Sequence, residues 1–166
     1  MRVFPSNEAQ RLERLQYLHL SDLGLDPEFD ACIEAACALA RVPMGLIGLM
    51  NSDIQQVQSC FGMRVERVPR EDTICQYTIA LGEPLLIPDV LEDERSKDNS
   101  LLQELGIRFY GGFPVFAKTG EILGTLCVLD TVPRNLNEQE IQALQRLSGT
   151  VATLYEQKIN RVHSDY

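Results

Sequence analysis

A chain of 166 residues, 45% hydrophobic and 23% charged, has the length and balance of one ordinary globular domain. A domain of this size buries roughly 70% of the surface its unfolded chain would expose, so it needs neither disulfides nor a structural metal for stability. The formal net charge of -9, with 15 basic residues scattered rather than clustered, disfavours a nucleic-acid or anionic-membrane surface. The N-terminus lacks the apolar core of a signal peptide, and no run approaches the roughly 20 apolar residues of a membrane span. A cytoplasmic location is expected.

In chain order, residues 6–18 read as an amphipathic helix opened by Ser6 or Asn7, with Leu12, Leu15 and Leu18 on one stripe. Residues 21–30 form a connector in which Asp26 caps, and Pro27 begins, a second helix. That helix aligns Phe29, Cys32, Ile33, Ala36, Cys37 and Ala40. The apolar run at 43–51 predicts a strand covered on both faces, joined through Asn51-Ser52-Asp53 to an alternating strand at 53–62. Residues 63–71 read as a loop before a helical segment holding Cys75. A brief strand, Leu85–Ile87, ends at Pro88. Residues 92–100 are expected to be loop with one helical turn, where Glu92, Asp93 and Glu94 are solvated and one acid of 92–98 pairs with Arg108. Two apolar runs around Lys118-Thr119-Gly120-Glu121 predict a hairpin. In it, Gly111-Gly112 marks close approach of another backbone, and Asp130 caps the turn that follows. The last helix, over 136–162, opens on a capping box of Asn137 and Glu140. It carries Ile141, Leu144, Leu147, Val151, Leu154, Ile159 and Val162 at helical spacing.

This order predicts an α+β fold: a central antiparallel sheet of five to six strands, terminal helices packed on one face, and a loop- and helix-covered pocket on the other. One domain is expected over 1–166, with its core at about 7–155 and residues 156–166 projecting beyond it. The five cysteines, Cys32, Cys37, Cys60, Cys75 and Cys127, offer no metal spacing, and His19 and His163 lie near the termini. Free, reduced, buried thiols and no metal site are expected.

The stretches "VPMGLIGLMN", "VPREDTICQYTI", "EPLLIPDVLEDER", "GIRFYGGFPV", "GEILGTLCVLD" and "LNEQEIQALQRLS" occur in one order that resembles the GAF domain. GAF domains are small-molecule sensing modules of bacterial signalling proteins, and this chain looks like those ahead of histidine kinase or diguanylate cyclase domains. The resemblance implies a pocket under the Cys75 segment and a non-catalytic sensing and dimerisation role. It also implies a homodimer through the terminal helices, with ligand binding coupled to the C-terminal one. Family members that anchor a tetrapyrrole commonly follow the cysteine with histidine. Here Gln76 and Tyr77 follow Cys75, no core histidine offers itself to haem, and the Asn-Lys-Phe-Asp-Glu signature of cyclic-nucleotide binders is absent. No cofactor and a colourless protein are therefore expected. The pocket candidates are Cys75, Tyr77, Tyr110, Phe113 and Cys127, with Cys75 read as pocket wall.

Two alternatives stand beside this reading. One is a thiol enzyme resembling free methionine sulfoxide reductase, with Cys75 as attacker, Cys60 or Cys127 as resolving thiol and Arg70 lowering the pKa. The other is a degenerate module used only for assembly. No nucleophile elbow or glycine-rich phosphate loop is present.

Overall fold

A computed structural model of the chain describes residues 2–18 and 26–164, with side chains as far as Lys158. The expectations for His19, for residues 21–25 of the connector, and for the side chains of Ile159, Val162 and His163 lie outside the described residues. Helix α1 is Glu8–Leu18 and α2 is Pro27–Ala40, followed by strands β1 (Met44–Met50), β2 (Ile54–Phe61) and β3 (Arg67–Pro69). Helix α3 (Cys75–Leu81), strand β4 (Leu85–Ile87) and helix α4 (Ser100–Glu104) come next. Strands β5 (Phe109–Phe116) and β6 (Ile122–Asp130) and the long helix α5 (Glu138–Ser164) complete the order. The strands form one six-stranded sheet in the order β3-β2-β1-β6-β5-β4, and every pairing is antiparallel.

Local chemistry accounts for the helix starts. The Asp26 side chain accepts from the Glu28 N–H at 2.9 Å, with Pro27 at the first helical position. At α5, Asn137 and Glu140 each accept from the other's backbone N–H, at 2.8 and 2.9 Å, which satisfies two orphan donors at once. Asp130 accepts from the Thr131 N–H and also pairs with Arg134 at 2.9 Å.

Four expectations are corrected. The stretch read as loop at 63–71 contains β3, a three-residue edge strand too short to leave a periodic signal. The polar stretch after Glu92 leads into α4, capped by Asn99, which accepts from the Leu102 N–H at 3.0 Å. Arg108 pairs with Asp89 at 2.8 Å rather than with the 92–98 loop, whose Asp93 and Glu94 are taken by Arg95 and Lys97. What approaches Gly112 is the Tyr110 side chain, not another backbone.

The sheet separates two cores. Leu15, Ile33, Cys37, Leu144, Val151 and Leu154 of α1, α2 and α5 pack on one face against Ile47, Phe109, Phe113 and Val128. Within this core Phe29 and Tyr155 sit ring to ring at 4.7 Å, tilted by 41°. The other face carries Leu46, Met50, Tyr110, Cys127 and Leu129, covered by α3, α4 and the connecting loops. A bulge in β2 opposite Ile47/Gly48 leaves Gln58 without a place in the β1 register. It re-phases the strand, so Gln55 and Cys60 both fall on the covered-loop side while Ser59 turns to α2, where its hydroxyl bonds Asp30. Glu156 and Lys158, in the stretch expected to project, are still tied to the body. Glu156 accepts from the Lys118 N–H at 3.1 Å, and Lys158 reaches Asp26 and Glu28.

Candidate functional site

The site is built from α3 lying across β5 and β6. The Thr73 hydroxyl accepts from the Gln76 N–H at 3.2 Å and opens the helix, while Gly82 closes it. Cys75 in the first turn and Thr78 one turn later then face the sheet.

Tyr110 lies along β5 rather than across it, because the next residue on its face is Gly112. A Cβ there would overlap the tyrosine hydroxyl and come within 2.6 Å of Thr78 Oγ1. Freed to lie flat, the Tyr110 hydroxyl reaches Thr78 Oγ1 at 2.8 Å and Cys75 Sγ at 3.3 Å. A phenol has one proton to give, so Thr78 donates to Tyr110 and Tyr110 donates on to Cys75. Gly48 plays the same part on β1. The Gln55 side chain folds over it, with Nε2 3.0 Å from where a Cβ would stand, and donates to Thr125 Oγ1 at 3.4 Å.

Cys75 is the focus of this arrangement. Its polar neighbours, Cys127 foremost and then Thr125, Tyr110 and Gln55, hold its pKa down at about 6 despite complete burial, and of these the Tyr110 hydroxyl donates to the sulfur at 3.3 Å. Cys127 shifts the opposite way: the neighbouring Cys75, then burial, push its thiol well above the ordinary value. Burial and the neighbouring Cys75 likewise raise Tyr110, which keeps it a protonated donor. The two thiols thus titrate as a pair in which Cys75 gives up its proton first.

This pair opens onto a cavity of about 50 Å³ between α3, α4 and the 63–68 loop. Its walls are apolar, supplied by Leu46, Met63, Val68, Leu102, Ile107 and Leu129. Its polar floor is Gln55, Thr73, Cys75, Tyr110 and Cys127. Sites for drug-sized ligands run to roughly 300–1,000 Å³, so this volume suits a molecule of a few atoms.

The structure brings together Cys75, Tyr110 and Cys127 of the five sequence candidates. Phe113 points to the opposite face, buried in the helix-side core, because it is three residues from Tyr110 on an alternating strand. Tyr77 is half-buried on the outer side of α3 and borders a polar surface cleft with Asp72, Arg95, Asp98 and Asn99. Cys60 pairs with Leu46, which in turn pairs with Cys127. Two strand spacings, roughly 9–10 Å, therefore separate the two cysteines. Arg70, expected beside Cys75, is fully buried elsewhere: it grips Glu8 at 2.6 Å and the Asn51 carbonyl at 3.0 Å.

Sequence reading missed Gln55, Thr78 and Thr125. The available signal was a polar residue inside an apolar element, Thr78 in CQYTIAL and Thr125 in ILGTLCVLD, whereas Gln55 in the polar strand IQQVQSCF carried none. It also missed a link from the site to the N-terminus. Gln76, adjacent to Cys75, accepts from the Val3 N–H at 2.9 Å. Glu8 of α1 binds both Arg11 and Arg70, and Arg11 donates to the carbonyls of Met50 and Ile122 at 2.6 and 3.3 Å.

Among the described residues no helix is long and apolar enough to cross a membrane, and no cluster of three or more His, Cys, Asp or Glu side chains could hold a metal ion.

An antiparallel sheet with helices on one face and a small covered cavity on the other is the architecture of a sensory module. The family model described as GAF domain matches residues 24–154, and the chain belongs to that family. It is 32% identical over 151 residues to the cyclic di-GMP phosphodiesterase PA2567 of Pseudomonas aeruginosa, a match covering 89% of this chain and 26% of the relative's length. The fold is shared with solved structures. The GAF domain from an Acinetobacter phosphoenolpyruvate-protein phosphotransferase superimposes with a TM-score of 0.66, at 17% identity over 94% of each chain. The type II free methionine-R-sulfoxide reductase of Thermoplasma acidophilum gives 0.67, at 10% identity over 79% of this chain and 92% of that one.

Proposed function

We propose that this chain is a non-catalytic small-molecule sensing and dimerisation module of a cytoplasmic signal-transduction protein. The observation that carries the reading is a buried sulfur with a tyrosine hydroxyl donating to it at 3.3 Å beneath a short helix, in a small and mostly apolar cavity. Apolar walls with a few placed polar groups are how small-ligand sites combine affinity with orientation. An occupant that fits one arrangement of α3 better than another shifts the population of the two. The hydrogen bond that Gln76 accepts from the Val3 N–H, and the packing of β5 and β6 on α5, then carry that shift to the terminal helices. In this reading residues 1–166 act as one module, with about 7–155 as its body and the end of α5 leading to an output. The similarity to a cyclic di-GMP phosphodiesterase supports an output in cyclic di-GMP signalling. Two copies pairing through their terminal helices give a two-fold dimer.

Native mass spectrometry, with light scattering after size exclusion, tests this. The expected result is a dimer that retains or takes up a small molecule, with a rise in melting temperature on binding. A strict monomer at high concentration that neither carries nor gains an occupant overturns it. A ligand-free dimer supports the assembly-only alternative instead.

The thiol-enzyme reading draws support from the Cys75–Cys127 pair. Reduction of free methionine sulfoxide by the wild-type chain, lost in Cys75→Ser, would replace the non-catalytic reading.

A further inference from the structure

The cavity is too small for most metabolites, yet it ends on a thiol pair surrounded by hydrogen-bond donors. We propose that Cys75 and Cys127 form a hydroperoxide-reactive dithiol that closes to an intramolecular disulfide, an inference that rests on reading this cavity as the sensing site. The ligand class is then a small hydroperoxide, and hydrogen peroxide is the member whose size matches a cavity of about 50 Å³.

Three observations support the assignment. First, Cys75 and Cys127 line the same small cavity and belong to the same buried cluster, so attacker and resolving thiol open onto one space. Second, the sulfur that receives the donors is Cys75: the Tyr110 hydroxyl stands 3.3 Å from it, backed by Thr78 at 2.8 Å. Donors placed this way favour the thiolate, which is the reactive form. Third, the other cysteines are excluded by position. Cys32 and Cys37 lie in the core across the sheet, where burial pushes both thiols up, and Cys60, on β2 beyond Leu46, does not line the cavity that Cys75 and Cys127 share.

The chemistry balances with hydrogen peroxide as oxidant. The Cys75 thiolate attacks one peroxide oxygen, the O–O bond breaks, and hydroxide leaves and takes up a proton to become water. Cys75 is then a sulfenic acid. Cys127 sulfur attacks the Cys75 sulfur, the S–S bond forms, the S–O bond breaks, and a second water departs with the remaining thiol proton. Two thiols are oxidised and one peroxide is reduced to two waters. The new bond holds the first turn of α3 onto β6 and removes the acceptor that Tyr110 had. Because Gln76 follows Cys75 directly, the change is felt at the Val3 hydrogen bond.

The test uses the full chain, reduced, desalted and exposed to a small excess of hydrogen peroxide, read by intact mass and non-reducing peptide mapping. Wild type is expected to lose two hydrogens and to yield a Cys75–Cys127 linked peptide. Cys127→Ser should stop at a species one oxygen heavier that a sulfenic-acid trap captures, and Cys75→Ser should give neither product. Tyr110→Phe keeps the packing and removes the donor, so its rate should fall about tenfold at neutral pH and its pH–rate midpoint should move up. Tyr110 is a positioning residue, and a purely structural role would leave that midpoint in place. An unchanged wild-type mass, a disulfide mapped to other cysteines, or equal oxidation of Cys75→Ser overturns the proposal. If either serine variant fails to fold, Tyr110→Phe and the wild-type peptide map still decide it. Dimerisation and small-molecule retention measured on Cys75→Ser separate the two readings: their persistence without oxidation in wild type rejects the dithiol and leaves the sensing module standing.

Discussion

The two faces of the sheet treat the same side chain in opposite ways. On the helix face Cys37 is packed among Ile33, Leu144 and other apolar groups, and burial alone pushes its thiol up to about 11. On the loop face Cys75 is buried just as deeply, yet hydrogen bonds hold it at about 6. Burial by itself therefore does not decide whether a thiol is inert. The decisive difference is the polar neighbours the surroundings supply: Cys127, Thr125, Tyr110 and Gln55 at Cys75, and none at Cys37. One face is a packed core and the other a partly hollow, polar-floored one, joined through a single sheet.

The strongest way to break this comparison is to damage the packed face. Phe29 is fully buried against Tyr155. Phe29→Ala should cost about 3–5 kcal/mol in a denaturant titration. A loss below about 1 kcal/mol would mean that the helix face is no tighter than the cavity side. Next in size is Arg70→Ala, about 3 kcal/mol, because Arg70 is fully buried and its loss takes a donor from the Asn51 carbonyl and leaves Glu8 with Arg11 alone. Burial raises the Glu8 carboxyl, but the bonds from Arg11 and Arg70 outweigh that and hold it below its ordinary range. Its stabilising contribution is therefore present at neutral pH and lost as pH falls through the folded value. Arg70→Ala should flatten that acid limb of the stability profile.

The helices and hairpins were legible because each carried its own local signal: the Asp26-Pro27 start, the Asn137/Glu140 box, and the alternation or continuity of apolar residues in the strands. Cys75 was singled out through family resemblance, and Tyr110 and Cys127 through strand alternation, and all three line one cavity. Gln55 and Thr125 were not, because their meeting depends on strand register between β2, β1 and β6, and on a bulge that shifts the phase of β2. A sequence read one strand at a time does not contain that register. Arg11 was missed, and Arg70 was placed beside Cys75, for another reason: an arginine on an amphipathic pattern does not read as buried, and both side chains are fully buried around Glu8. Phe113 was misplaced by one step of alternation, which moves a side chain through the sheet.

A thiol-specific pH experiment sharpens the comparison. The folded pKa of Cys75, about 6, lies below its ordinary 9.0. Its contribution to stability is complete above pH 9 and disappears as pH falls through 6. Cys37 has the opposite sign, since its folded value of about 11 makes stability decline as pH rises from 9 toward 11. Cys75→Ser should remove the rise between pH 6 and 9, a slope of at most about 1.4 kcal/mol per pH unit. Cys37→Ser should leave that rise intact and soften the decline above pH 9. Equal pH profiles for the two variants would show that the faces do not differ in the way described.

The smallest effects expected belong to the two glycines, and they separate a rigid neighbour from a yielding one. At Gly112 an added methyl meets the Tyr110 ring and hydroxyl together with Thr78, all buried and held by mutual hydrogen bonds. Gly112→Ala should cost about 1–3 kcal/mol by overpacking. It should also turn the Tyr110 hydroxyl away from Cys75, raising the thiol's pKa as read from the ultraviolet absorbance of the thiolate. At Gly48 the nearest atoms are 3.0 and 3.1 Å away and belong to the Gln55 side chain, whose amide end can swing aside. Gly48→Ala should cost less than about 1 kcal/mol, because a flexible side chain gives way where a packed ring does not. It loosens only the Gln55–Thr125 bond, already long at 3.4 Å, so the thiolate signal should move less than in Gly112→Ala. A reversed order of the two variants would place the control of Cys75 with Gln55 and Thr125 rather than with Tyr110.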